Sequence, residues 1–318
     1  MMEDLNKLKN FVSFLYLCIA LCACDGDEPN EPPLPPMSDL EDICSAMDDI
    51  IFIDYCYANF DTEGNGKISL SEAQDVKEIE MNGDFDKEFS IKIKSLKGIQ
   101  YFSNLEKLKL SSLVELTSLD VSNFKKLKYL DIDNNALTLL DVSGLEYLET
   151  LLCKGSPIVS LNTKNCIRLK KIHCFPCQLT SIDVSGCVNL MELDCCGNGY
   201  YFRNQLLSLD LSDCRSLSIL NCWRNRLTSL DVSKCRNLKV LWCGQNRLSS
   251  LDLTFCKKLV DLECCETELK TLNVLECELL NSLDCRNNPY LNEVLMSKEQ
   301  YEGIYLTKDE HTQIKLVN

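Results

Sequence analysis

Two kinds of side chain in this sequence could do chemistry: thiols and clustered oxygens. Twenty-one of the 318 residues are cysteine, whereas only His173 and His311 are histidine. A thiol becomes a useful nucleophile when a base or a cation stands beside it. His173 precedes Cys174, but adjacent residues of a strand point to opposite faces and cannot share a proton. Cys174-Phe-Pro-Cys177 has the spacing of a redox or zinc site. Cys177, however, takes a place that asparagine holds in sister segments, which favours a structural role. Asp120, Asp141, Asp183, Asp210, Asp231 and Asp252 recur with a repeat. They read as a solvated row bonding its own backbone, with a calcium-bridged ladder as the alternative. No nucleophile, base and orienting group come together, so the chain reads as a non-enzyme.

The densest oxygen cluster is Asp61-Thr-Glu-Gly-Asn-Gly-Lys-Ile-Ser-Leu-Ser-Glu72. It resembles the EF-hand loop, with oxygen side chains at positions 1, 3, 5, 9 and 12 and Gly66 at the sixth for the sharp turn. The resemblance implies one Ca2+, held by Asp61, Glu63, Asn65, Ser69 and Glu72, with Lys67 lending its carbonyl and Glu72 binding through both oxygens. Glu63 departs from the usual Asp or Asn. The stretch Asp84-Phe-Asp86-Lys-Glu88 lacks the turn glycine, so no partner loop is expected; lone loops of this type occur in secreted modules such as dockerins. A helix must lead into the loop. Ser38-Asp-Leu-Glu41 is a capping box, and Leu40, Ile43, Cys44, Met47, Ile50 and Ile51 follow at helical spacing, giving a helix to about Tyr57. Ala73, Val76 and Ile79 mark an exiting helix.

Upstream, Lys7 and Lys9 precede an apolar run at 11–23 that is too short to span a bilayer. The run ends Leu21-Cys22-Ala23-Cys24, which resembles the lipobox of bacterial lipoproteins. That resemblance implies a signal peptide at 1–24 with Cys24 as the lipidated first mature residue. Residues 25–37 are acidic and proline-rich, a tether of extended polyproline type. Acidic residues straight after the lipidated cysteine resemble the export signal of Bacteroidetes surface lipoproteins. The implied location is the outer membrane, lipid-anchored, on the cell surface.

The body of the chain is a repeat. Copies begin at Leu116, Leu137, Ile158, Leu179, Leu206, Leu227, Leu248 and Leu269, stepping by 21 residues except for a six-residue insertion after Leu179. Such self-similarity signals a solenoid, because no copy can bury its apolar side alone. Within each copy the pattern LxxLxCxxNxL recurs, and half-copies LxxLDV and LxxLxC alternate. This resembles the leucine-rich repeats, in particular the nested IRREKO type and more distantly the internalins. The expected fold is therefore a mainly β repeat solenoid with short strands on two sides, behind a small N-terminal helix–loop–helix. The expected divisions are 38–90 for the helix–loop–helix and N-terminal cap, 91–291 for the solenoid and 292–318 for the C-terminal cap. Leu96 and Ile99 suggest a capping coil, and residues 312–317 a final strand.

Repeat position then sorts the cysteines. Cys153, Cys174, Cys195, Cys222, Cys243, Cys264 and Cys285 form one column, inward in LxC. Cys166, Cys187, Cys214, Cys235, Cys256 and Cys277 form another, between the half-copies. Stacked neighbours ~5 Å apart have parallel Cβ vectors, poor for bridging, so buried free thiols are expected. A net charge of −15 argues against nucleic acid. Residues flanking the inward positions must face solvent. Most are polar, but Ile219 with Trp223 and Val240 with Trp242 fall in consecutive coils, next to the insertion carrying Tyr200, Tyr201, Phe202 and Arg203. These eight residues are the candidate ligand site, unless the insertion folds over the tryptophans and buries them. The reading is a monomeric, surface-anchored binding protein for a protein ligand; the alternative is a glycan-binding accessory of an uptake system.

Overall fold

The computed structural model describes residues 40–83, 92–197 and 204–317; Cys24, the tether, Ser38 of the capping box and the 200–203 stretch lie outside them. Short parallel strands stack coil upon coil. Eleven of them form one sheet, running from Glu78–Asn82 through Lys107–Ser111 to Tyr305–Thr307. Within the repeats each strand is three residues long with its central residue inward, as in Ile219–Asn221 and Val240–Trp242. Registration follows the period: Leu220 lies opposite Leu241, and Leu241 opposite Leu262. A repeated sequence stacked in register places identical side chains one above another, so the leucines and cysteines form continuous buried columns.

The opposite side carries strands at both ends of the rod. Leu139–Asp141, Ser160–Asn162 and Ser181–Asp183 make one three-stranded sheet, and Thr271–Asn273, Glu293–Ser297 and Gln313–Val317 another. In the coils begun by Leu206, Leu227 and Leu248 that side has no described strand. There the coils are joined by single bonds, such as Arg226 N–H to Leu206 O (3.0 Å) and Arg247 N–H to Leu227 O (2.8 Å). The expectation of strands on both sides holds at the ends and fails in the middle.

Buried asparagines tie the coils along one edge. Asn246 Nδ2 donates to the carbonyls of Cys222 (3.0 Å), Cys243 (3.0 Å) and Gly244 (3.2 Å), while its Oδ1 accepts from Leu227 N–H at 3.0 Å. One amide thus satisfies donors and acceptors that a turn would otherwise bury unpaired. Cys177, in the same column, donates its thiol to Cys153 O at 3.1 Å. That is one of the bonds asparagine makes elsewhere, so the CxxC spacing comes from the repeat. After the insertion the column resumes at Asn204, which bonds the carbonyls of Cys174, Cys195 and Cys196.

The N-terminal segment departs from expectation twice. A single helix to Tyr57 is replaced by a 3-10 turn at Ile43–Ala46 and a separate helix, α1, at Ile50–Phe60. The break has a local cause: Asp42 and Asp49 each turn a carboxylate onto backbone N–H groups ahead, and both take extended backbone angles. Asp49 also accepts from Lys94 N–H at 2.8 Å, which fastens the start of α1 to the first coil. The exiting helix α2, Leu70–Asp75, is short, and Ile79 lies instead in the strand Glu78–Asn82. Glu78-Ile-Glu-Met81 alternates with period two, and Lys107–Ser111 gives it a partner. The helix–loop–helix therefore supplies the first strand of the solenoid sheet. Phe52 and Phe60 pack on Phe102, closing the end of the core. At the other end Tyr305–Thr307 adds to the main sheet and Gln313–Val317 forms the expected last strand. Helix α3, Lys298–Gly303, lies beside them, its buried Gln300 donating to Val274 O and Cys277 O.

Candidate functional site

The loop at 61–72 is wound on its own hydrogen bonds. Asp61 accepts from Asn65 N–H (3.1 Å) and Gly66 N–H (2.8 Å), and Asn65 Oδ1 accepts from Lys67 N–H. Gly66 has φ of 74°, a region a side chain would resist. Glu72 is the centre. One of its oxygens accepts from Thr62 N–H (2.8 Å), Thr62 Oγ1 (3.0 Å) and Glu63 N–H (3.0 Å). The other accepts from Ser69 N–H (2.8 Å) and Ser69 Oγ (2.9 Å). Ser69 in return caps α2. These donors, the Ser69 N–H foremost, hold the Glu72 carboxyl down at about 2. The donor set is all oxygen, which suits a hard cation such as Ca2+. Among the described residues, however, no three acidic, cysteine or histidine side chains are gathered as a metal site. Asp61, Glu63, Asn65, Lys67, Ser69 and Glu72 share one loop, with Glu72 directed at the backbone and hydroxyl donors of Thr62, Glu63 and Ser69.

The second candidate is the outward face of the long sheet. Ile219 and Val240 stand in register, between Glu192 and Asp261 on the neighbouring strands. Trp242 is in register with Asn221 and Glu263, and its Nε1 donates to Asp261 Oδ2 at 2.9 Å. Trp223 lies just past its strand, and its ring rests on Gly244 one coil further. A Cβ on Gly244 would come within 2.7 Å of Trp223 Nε1, so glycine makes the ring's seat. Trp223 Nε1 is closed to solvent, has no nitrogen or oxygen acceptor among the described residues, and faces the Cys265 sulfur. The Arg224 guanidinium sits 5.8 Å from the ring centroid. Ile219, Trp223, Val240 and Trp242 are all half-buried. The four share one face; Tyr200, Tyr201, Phe202 and Arg203 lie outside the described residues.

The remaining chemistry-bearing groups fall into place. Described cysteines are free, and both expected columns are buried. Burial pushes the Cys166, Cys214 and Cys235 thiols up to about 12, away from reactivity. Several are donors: Cys166 to Val142 O at 3.0 Å and Cys187 to Thr163 O at 3.2 Å. His173 points outward, pairs with Glu192 and meets the Phe175 ring, while Cys174 points inward. In the aspartate row, Asp120, Asp141, Asp210 and Asp231 each accept from the N–H two residues on, at 2.8–2.9 Å. These are local Asx turns, as the bland reading of the row expected.

One surface escaped the sequence reading. Where the coils turn back into the long sheet, a groove of about 650 Å3 is walled by residues of several copies, Arg168, Lys170, Lys239 and Lys258 among them. Its signal was available: the second residue after each of the first five Cys of the second column is Arg168, Asn189, Ser216, Asn237 and Lys258 in successive coils.

No family model matches the chain, and no curated protein matches it. Solved structures do. The functional domain of InlJ from Listeria monocytogenes, described as including a cysteine ladder, is 24% identical with a TM-score of 0.62, over 87% of this chain and 63% of that one. This chain thus spans less than two thirds of that domain. Internalin C2 from the same organism is 17% identical with a TM-score of 0.52, over 74% of this chain and 97% of that one. Together with the stacked parallel strands, these likenesses establish a leucine-rich-repeat solenoid with little helix.

Proposed function

We propose that the chain is a surface-displayed, lipid-anchored binding protein whose repeat rod recognises a protein ligand. Cys24 carries the lipid, and residues 25–37 hold the rod away from the membrane. Among the described residues no helix is long and apolar enough to cross a membrane. One Ca2+ sits in the loop at 61–72, held by the side chains of Asp61, Glu63, Asn65, Ser69 and Glu72 and the Lys67 carbonyl. Bound there, it neutralises the acidic loop and stiffens the join between α1 and the first strand of the sheet.

The observation that carries the reading is the apolar step on the sheet face: Ile219, Val240, Trp223 and Trp242 in two adjacent coils, between acidic neighbours. Large aromatic side chains in a mixed patch suit a protein contact. Protein is favoured over sugar because the ring faces are partly taken, Trp223 by Gly244 and by Arg224. The test presents the full chain in detergent to an array of extracellular proteins and to an array of glycans. Protein hits weakened tenfold or more by Trp223→Ala with Trp242→Ala, in a variant that still unfolds cooperatively well above the assay temperature, are expected. Glycan hits alone, or protein hits indifferent to both substitutions, would overturn the assignment.

A further inference from the structure

The turn-edge groove has a charge pattern that points to its occupant. Cations stand at its two ends, Arg168 and Lys170 at one and Lys239 and Lys258 at the other. Uncharged side chains fill the middle, where Met191 is 51% exposed and stacks between Lys170 and Ser218. The walls are fixed. The Arg168 guanidinium lies 4.4 Å from the Tyr147 ring centroid, and Lys258 Nζ donates to Asn237 Oδ1 at 2.7 Å. Asn189 donates to Ile167 O and Ser216 to Val188 O, each reaching back one coil. Among the described lining residues Glu149 is the one carboxylate, and it pairs with Lys170 at 2.8 Å. A cationic groove on a chain of net charge −15 is a local departure from the whole.

Spacing selects among anions. Neighbouring coils are ~4.8 Å apart, so Lys170 and Lys239, three coils apart, are separated by ~14 Å, and Arg168 and Lys258, four coils apart, by ~19 Å. An extended peptide rises ~3.3 Å per residue and returns a side chain to the same face at every second residue. Acidic residues four to six positions apart would therefore reach both ends together. A uniformly charged polymer would instead set its middle charges over Met191. We propose that this groove binds an extended peptide segment of a protein partner, with two acidic side chains four to six residues apart and an apolar one between them over Met191. The proposal rests on the protein-binding reading but not on the tryptophan face.

The probe is a dye-labelled, end-capped octapeptide with Glu at positions 2 and 6 and Leu at 4, titrated against the full chain by fluorescence anisotropy. A peptide of the same composition with adjacent Glu residues and a sulfated polysaccharide serve as competitors. The spaced peptide is expected to bind at least fivefold tighter than the adjacent one. Arg168→Glu with Lys239→Glu should weaken it at least tenfold, and Arg168→Gln with Lys239→Gln less. Both sites are exposed, so unchanged melting will show that the variants fold. No binding of the spaced peptide, equal binding of both peptides, stronger competition by the polysaccharide, or indifference to charge reversal would each overturn the proposal. Peptide binding that survives Trp223→Ala with Trp242→Ala supports the groove as a separate site; loss in that variant counts against it. Peptide binding without any tryptophan-dependent protein hit would sink the sheet-face reading alone.

Discussion

Replacing Glu72 by Gln should weaken the loop at 61–72 before any calcium is added. In the native loop the two carboxylate oxygens divide five donors between Thr62, Glu63 and Ser69. An amide keeps one acceptor and turns an NH2 group toward the remaining donors. In the cheaper orientation that NH2 faces Ser69, whose hydroxyl can rotate to accept but whose backbone N–H then loses its partner. One poorly satisfied donor, together with the loss of charge on the other bonds, amounts to about 2–3 kcal/mol. Exchange of the Thr62, Glu63 and Ser69 amides, followed with a calcium chelator present, reads the effect directly. Those amides should exchange tens of times faster in the variant, with the distant coils unaffected, because a solenoid couples only neighbours. Acid should act like the mutation. The Glu72 carboxyl lies at about 2 when folded, below its ordinary value near 4.5. Its contribution is therefore complete above pH ~4.5 and fades as pH falls toward 2. In calorimetry at neutral pH the variant should also bind Ca2+ at least tenfold more weakly, since Glu72 is the proposed two-oxygen ligand. Wild-type exchange rates at these three amides in the chelated variant would refute the hydrogen-bond argument. Unaltered calcium heat would refute the ligand assignment.

Other expectations follow from single contacts. Asn246→Ala strips the Leu227 N–H of its acceptor and three carbonyls of a donor, and should cost about 3 kcal/mol in urea unfolding; a loss under ~1 kcal/mol would mean water replaces the amide. Cys24→Ala should abolish fatty-acid labelling and release the protein from membranes, and a variant still membrane-bound would refute the anchor. Alkylation at pH 8 should modify half-exposed Cys265 first and reach the buried columns only after denaturation; rapid native labelling of Cys243 or Cys235 would contradict their burial.

Much of this protein was legible because its fold is written one coil at a time. A strict period stacks like on like, so the LxC alternation names which leucines and cysteines face inward. The same logic made Cys177 a member of the asparagine column, and its thiol does donate to Cys153 O. The turn at Gly66 was legible too, since its positive φ lies in a short loop between α1 and α2. Ile79 was misread as helical because its strand exists only where Lys107–Ser111 offers a partner some thirty residues on. The helix break at Asp49 was also missed. An apolar helical spacing continues through it, while the carboxylate accepts from Ile51 and Phe52 ahead and from Lys94 far along the chain.

Sequence by itself thus determined the solenoid, its period and its inward columns, all of which depend on spacing within one copy. Tertiary structure alone decided what spans copies. It seated Trp223 on Gly244 of the next coil, handed the asparagine slot to Asn204 after the insertion, and lined up Arg168 with Lys258 across four coils. The physical reason is common to them all. A repeat states where a side chain points, whereas what it meets depends on the neighbouring coil, and there the copies differ.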